Sequence, residues 1–134
     1  MLVGGENDVG YLITENTDEA YDAAIALRAA VSDKLGVTLT AKHCRFRPYD
    51  AENDYAEIII GKTDRVGANE AINSVAESLG NREYFLFIQA GNDLIFYATS
   101  SLAYQNGILK FEELFIGDGK LSVVTSYVYV EFLE

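Results

Sequence analysis

The chain has one proline, one cysteine, one histidine and few basic residues, and no apolar run of membrane-spanning length. Each scarcity excludes something. With a single proline and no low-complexity tract, disorder and fibrous architecture are not expected. Cys44 alone forms no internal disulfide, and with His43 the only histidine a four-ligand zinc site is excluded. No segment approaches the ~20 apolar residues of a membrane helix, and the opening MLVGGENDVG lacks the basic start and apolar stretch of a signal peptide. Ten basic against 21 acidic residues leave a net charge of -11. That field repels phosphate backbones and anionic head groups, so neither nucleic acid nor a membrane is an expected partner.

What is present is a 134-residue chain, 49% hydrophobic. A chain of this size buries roughly two thirds of its unfolded surface without a disulfide or metal staple. We expect one α/β domain over residues 1–134, with 1–10 a loose lead-in. Tyr11 to Thr14 reads as a short strand, and Asn16 with Glu19 three residues on is N-cap chemistry. Ala20, Ala24, Leu27, Val31 and Leu35 form one apolar helical stripe that Gly36 stops. Val37 to Phe46 alternates Val37, Leu39 and Ala41 against polar residues and reads as a strand with one buried face. A loop follows from Pro48 through Asp50 to Asp54.

Ile58 to Ile60, bounded by Gly61, reads as a central strand. Ile72, Val75, Ala76 and Leu79, closed by Gly80, mark a second helix. Tyr84 to Ala90 and Leu94 to Ala98, separated by Gly91, Asn92 and Asp93, should pair as an antiparallel hairpin. Ser100 or Ser101 caps a third helix with Tyr104, Ile108, Phe111 and Phe115 inward, and a turn at Asp118 and Gly119 leads to a last strand from Leu121 to Leu133. The expected class is α+β, in the order β-α-β-β-α-β-β-α-β: a two-layer sandwich of a mixed, mainly antiparallel sheet with its helices on one face. Ile58 to Ile60, Phe85 to Ile88 and Leu94 to Tyr97 do not alternate. A sheet with one wet face would alternate, so either the second face has a cover, from the chain or a partner, or some apolar side chains stand exposed.

Chemistry is sparse. Neighbours on a strand, His43 and Cys44 point to opposite faces and make no nucleophile-base pair. Asp50, Glu52 and Asp54 have the alternate spacing of a calcium loop, but Tyr55 stands where the turn needs glycine, and a plain acidic loop is the better reading. Glu112 and Glu113 diverge on a helix, and no opposed carboxylate pair emerges. No catalytic residue, metal ligand or cofactor site is expected. Tyr127 and Tyr129 share one face of the last strand with Thr125, opposite Val124, Val128 and Val130. They are the candidate binding or docking residues, beside the reading that they are ordinary sheet packing.

Glu57 to Arg65, E-I-I-I-G-K-T-D-R, resembles the strand and turn I-G-x-T-x-R of a non-catalytic N-terminal α/β domain. That domain precedes the catalytic barrel in β-N-acetylhexosaminidases and α-glucuronidases and recurs in bacterial carbohydrate-active proteins. The K-L-G-V-T-L end of the first helix, the Tyr84 to Ile88 and Asp93 to Tyr97 hairpin, and the helix from Ser100 to Phe111 resemble further elements of it, so the likeness runs from about Tyr11 to Ile116. The chain departs where the family has glycines and this sequence has Ala98 and Thr99, and where Asn106 and Gly107 replace a tyrosine-glycine pair. It resembles a divergent member. The resemblance implies a helix-covered sheet that supports or positions a catalytic domain, in an extracytoplasmic glycoside hydrolase-like protein, without turnover of its own. An independent carbohydrate-binding module is the alternative. The implied partner is another domain or subunit of a carbohydrate-active protein, or a glycan. Lys62, Thr63, Asp64 and Arg65 would shape the strand-to-helix turn, with Asp64 a candidate cap.

Overall fold

The computed structural model describes residues 11–36, 38–46, 48–49, 57–90, 93–117, 120–121 and 128–133. Its elements are β1 (Tyr11–Thr14), α1 (Asp18–Leu35), β2 (Thr40–His43), a 3-10 turn (Cys44–Phe46), β3 (Glu57–Ile60), α2 (Val66–Ala76), β4 (Tyr84–Ala90), β5 (Asp93–Ala98), α3 (Ser101–Phe115), β6 (Ile116–Gly117), β7 (Lys120–Leu121) and β8 (Val128–Phe132). Six strands form one mixed sheet in the order β2-β1-β3-β5-β4-β8, while β6 and β7 pair with each other as a small hairpin. The class is α+β, as the periodicities imply.

Two expectations about the arrangement are corrected. The sheet is not mainly antiparallel: β1 pairs in parallel with β2 and with β3, and β3 with β5, whereas only β4 with β5 and β4 with β8 run antiparallel. Nor do the helices share one face. Leu12, Ile58, Ile60, Phe85, Phe87, Leu94 and Phe96 pack under α1 and α3, through Ala24, Leu27, Val31, Ala103, Phe111 and Phe115. On the opposite face Ile59, Leu86, Ile88 and Ile95 pack under Ala68 and Ile72 of α2. The reason is topological. The step from β1 to β2 and the step from β3 to β5 run in opposite directions across the sheet, and connections of one hand that do so lie on opposite faces.

This arrangement explains the unbroken apolar strands. Ile58 and Ile60 point into one core and Ile59 into the other, all of them essentially inaccessible to solvent. Each such side chain contributes on the order of 1.5–3 kcal/mol of burial. The cover for the second face is therefore α2, from within the chain.

Local chemistry sets the ends of the elements. Thr17, not Asn16, caps α1: its Oγ1 accepts the Ala20 N–H at 3.3 Å. Gly36 stops that helix in the left-handed region, φ 70°. The side chains of Leu35 and Val37 lie outside the described set, but Leu39 is buried as its position in the alternation requires. The strand expected up to Phe46 ends at His43, where the backbone tightens into the 3-10 turn and buries Cys44. Ala90 pairs with Asp93, so Asp93 belongs to β5 and residues 91–92 alone connect the hairpin. Ser100 Oγ accepts the Ala103 N–H at 3.2 Å and caps α3. Of the last strand expected from Leu121 to Leu133, β7 holds the start and β8 the end, and residues 122–127 lie outside the described set.

Candidate functional site

The parallel strands β1, β3 and β5 end at one edge of the sheet, and each runs directly into a helix. Backbone bonds lock these junctions together: Glu15 N–H donates to Ile60 O and Gly61 N–H to Phe96 O, both at 2.8 Å. Glu15 then reaches across the strand ends, and its Oε1 accepts the Lys62 N–H at 2.8 Å. The crossing is close. Gly61 sits at φ 82°, and a Cβ there would lie 2.6 Å from Glu15 Oε1.

Beside these junctions lies a cleft of about 400 Å³ whose lining includes Glu15, Glu19, Lys62, Tyr97, Ser101 and Tyr104, together with Thr17, Thr99 and Ser100. Several of its polar groups are committed to the fold. Thr17 and Ser100 cap helices, and Thr99 Oγ1 both accepts from Tyr84 N–H (3.1 Å) and donates to Tyr84 O (3.3 Å). Lys62 Nζ stands 5.4 Å from the centroid of the Tyr97 ring, a cation–π distance. Burial pushes the Tyr97 hydroxyl up from its ordinary pKa, with the Glu15 carboxylate adding to it. Burial pushes Tyr104 up much further, against a backbone hydrogen bond from Ala98 that lowers it and with Glu15 again raising it.

A second depression of similar volume lies beside Tyr49, Arg65, Val66 and Asp93. Its arginine is held by two carboxylates, Glu57 and Asp64. Arg65 Nε and Nη2 bond the two oxygens of Glu57 at 3.1 and 2.9 Å, and Arg65 Nη1 bonds Asp64. The hydrogen bonds to these carboxylates outweigh the effect of burial, so the guanidinium is held in its charged form. Thr63 Oγ1 accepts the Arg65 N–H, Thr63 O accepts from Asn69 Nδ2, and Asp64 Oδ2 accepts the Tyr49 N–H at 2.7 Å. The turn implied for Lys62 to Arg65 thus forms, but Asp64 does not cap α2: Arg65 occupies the cap position, and its side chain makes no cap hydrogen bond.

Of the two candidate docking residues, Tyr127 lies outside the described residues. Tyr129, on β8, has its ring 6.4 Å from those of both Phe85 and Phe87, and its hydroxyl donates to Glu131 at 2.5 Å. That bond holds the phenol protonated to higher pH. Tyr129 is half-buried sheet packing on the α1 and α3 side. His43 ends β2, stacks on Tyr21 at 4.8 Å and bonds Thr14 Oγ1 through Nδ1, whereas Cys44 turns inward. Glu113 pairs with Lys110 at 3.1 Å. Thr125, Asp50, Glu52, Asp54 and Tyr55 fall outside the described residues, and among those described no group of three or more His, Cys, Asp or Glu could hold a metal.

Sequence reasoning missed Glu15, Lys62, Tyr97 and Tyr104 as a group. The usable signal is positional: residues just past the ends of parallel strands gather at the edge where such sheets bind ligands. In comparisons with known proteins, no family model matches the chain and no curated protein matches it.

Proposed function

We propose that this chain is a non-catalytic accessory domain of a carbohydrate-active protein, supporting or positioning a catalytic domain. One observation carries the reading. The segment that resembles the glycoside hydrolase-associated domain, Glu57 to Arg65, has its two ends joined: its first residue, three positions ahead of the I-G-x-T-x-R motif, holds the motif's closing arginine through a two-point ion pair. Thr63, Asp64 and Arg65 spend their polar groups on the turn itself. A motif used in this way braces a scaffold and offers no acid, base or nucleophile to a substrate.

The sheet face that called for a cover already has α2 on it, so the supported domain contacts another surface. The isolated chain turns over no substrate in this reading.

The test is an immunoblot of an extract of the source cells with antibody raised against the chain. The accessory reading expects a band larger than 14.8 kDa by a catalytic domain of about 250 residues, the usual size of a (β/α)8 barrel. A band at the mass of the chain itself, or hydrolysis of aryl glycosides by the purified chain that Glu15→Gln abolishes, sinks it.

A further inference from the structure

The cleft at the ends of β1, β3 and β5 is built differently from the Arg65 brace. It lies at the point where the chain diverges, with α1 leaving β1 for one face of the sheet and α2 leaving β3 for the other. In α/β sheets this crevice outside the carboxyl ends of the strands is where ligands lodge. Its volume of about 400 Å³ falls in the range of small-molecule sites.

The lining chemistry narrows the ligand. Glu15 is fixed by the Lys62 N–H on Oε1, which leaves Oε2 as an acceptor in a set orientation. The hydroxyls of Tyr97 and Tyr104 stand within the field of that carboxylate, and the Lys62 ammonium lies over the Tyr97 ring. Acceptor, donor and dual-purpose hydroxyls therefore alternate around one small space. A purely apolar ligand would strand them. The two carboxylates, Glu15 and Glu19, outnumber the one ammonium, Lys62, in a chain of net charge -11. The amino termini of α1 and α3 open nearby and favour anions, but Asp18 and Glu19 already occupy the first turn of α1, and Thr17 and Ser100 each take up one N–H, that of Ala20 and that of Ala103. Anionic ligands are disfavoured. A polyol whose hydroxyls both donate and accept satisfies every group.

We propose that this cleft binds a neutral sugar ring, with Glu15 accepting from vicinal hydroxyls, Lys62 donating to one of them and the Tyr97 hydroxyl completing the set. The choice of a sugar among polyols rests on the carbohydrate reading above, while the site itself rests on the geometry. The cleft gives the accessory domain a contact with substrate in addition to its bracing role.

The experiment is a titration of the 15N-labelled chain, at low salt, with D-glucose, D-galactose, D-mannose, D-glucuronate and inorganic phosphate, each alone. At least one neutral hexose should shift the amide signals of Lys62, Thr99 and Ser101 saturably, with Kd on the order of 1 mM. Glucuronate and phosphate should bind roughly tenfold more weakly or not at all. Lys62→Ala and Tyr97→Phe, whose spectra keep the parent dispersion, should each weaken the hexose roughly tenfold. The proposal is overturned if no hexose saturates, if the shifts map elsewhere, if phosphate binds more tightly than every hexose, or if both variants bind as the parent does. A chain that binds hexose yet runs at its own mass in the source extract keeps the cleft and loses the accessory role. A larger band with no hexose binding does the reverse.

Discussion

Glu57 and Arg65 face each other as a two-point ion pair across the strand and turn of a single nine-residue segment, with side-chain exposures of only 10% and 6%. Burying two charges costs free energy that their attraction repays only when geometry is good, and this geometry is bidentate. The asymmetry matters for mutation. Removing Arg65 takes from Glu57 the group that binds both its oxygens, whereas removing Glu57 leaves Arg65 its bond to Asp64.

Arg65→Ala is expected to cost about 3–5 kcal/mol, read from urea unfolding midpoints at constant slope, and Glu57→Ala less, because Asp64 still pairs with the guanidinium. Arg65→Lys should recover little of that loss, because an ammonium cannot match both oxygens. A double replacement by apolar residues of similar volume should lie well above either single variant. Single losses under ~1 kcal/mol would show that the pair behaves as a surface contact and does not brace the turn.

Gly61→Ala should destabilise more than Gly36→Ala. Both glycines have positive φ, 82° and 70°, but a Cβ at Gly36 meets nothing within 4 Å while one at Gly61 meets Glu15. The shared backbone strain is about 1–2 kcal/mol; the excess at Gly61 reports the close crossing. In a Glu15→Gly background, which removes both the Oε1 and the Cβ that the new methyl would meet at 2.6 and 2.8 Å, the excess should shrink, a non-additivity visible in a double-mutant cycle.

At Gly107 the expected sign is opposite to helix propensity. An exposed helical glycine gains ~1 kcal/mol on becoming alanine, and Gly67→Ala, with open space around it, should follow that rule. A Cβ at Gly107 would lie 2.5 Å from the Phe96 ring. That ring is fully buried between Phe87 and Tyr104. Overpacking of this kind costs about 1–3 kcal/mol, so Gly107→Ala should lower Tm where Gly67→Ala raises it.

Tyr104 predicts a loss of stability in alkali. Burial raises its pKa well above the ordinary value of 10.0. Below pH ~10 the phenol is neutral in both states and contributes no pH dependence. Above it the unfolded chain ionises while the folded one does not, so stability falls as pH rises toward the folded value. Tyr104→Phe should flatten that fall in chemical denaturation between pH 9.5 and 11. An unchanged slope would mean that the hydroxyl is not held neutral.

Much of the fold was readable because it is local. The stripe from Ala20 to Val31, the Gly36 stop, the isoleucine strand and the Ser100 cap each rest on spacings within a few residues. What escaped is non-local. Ile58 to Ile60 announces burial on both faces, but nothing in those residues says that α2 covers one of them or that β3 pairs in parallel with β1 and β5. The segment before Phe46 alternates like a strand and yet turns at Cys44, whose burial outweighs continued pairing. The cleft was the least visible, since Glu15, Lys62, Tyr97 and Tyr104 come from four separate stretches and meet only once the strands align. Tyr129 packs against Phe85 and Phe87, the ordinary sheet packing that stood beside the docking reading of it.

Among the described residues the sheet order also leaves β2 and β8 as the two outer strands. An outer strand with unpaired backbone groups invites addition of a strand from another molecule, the first step toward aggregation. Here β2 is four residues long, carries Lys42 and breaks at once into the 3-10 turn, and β8 is five residues long and carries Glu131. Short, charged edges on a chain of net charge -11 give an incoming strand little length to pair with and a repulsive approach, so copies of this protein resist polymerising through their sheets.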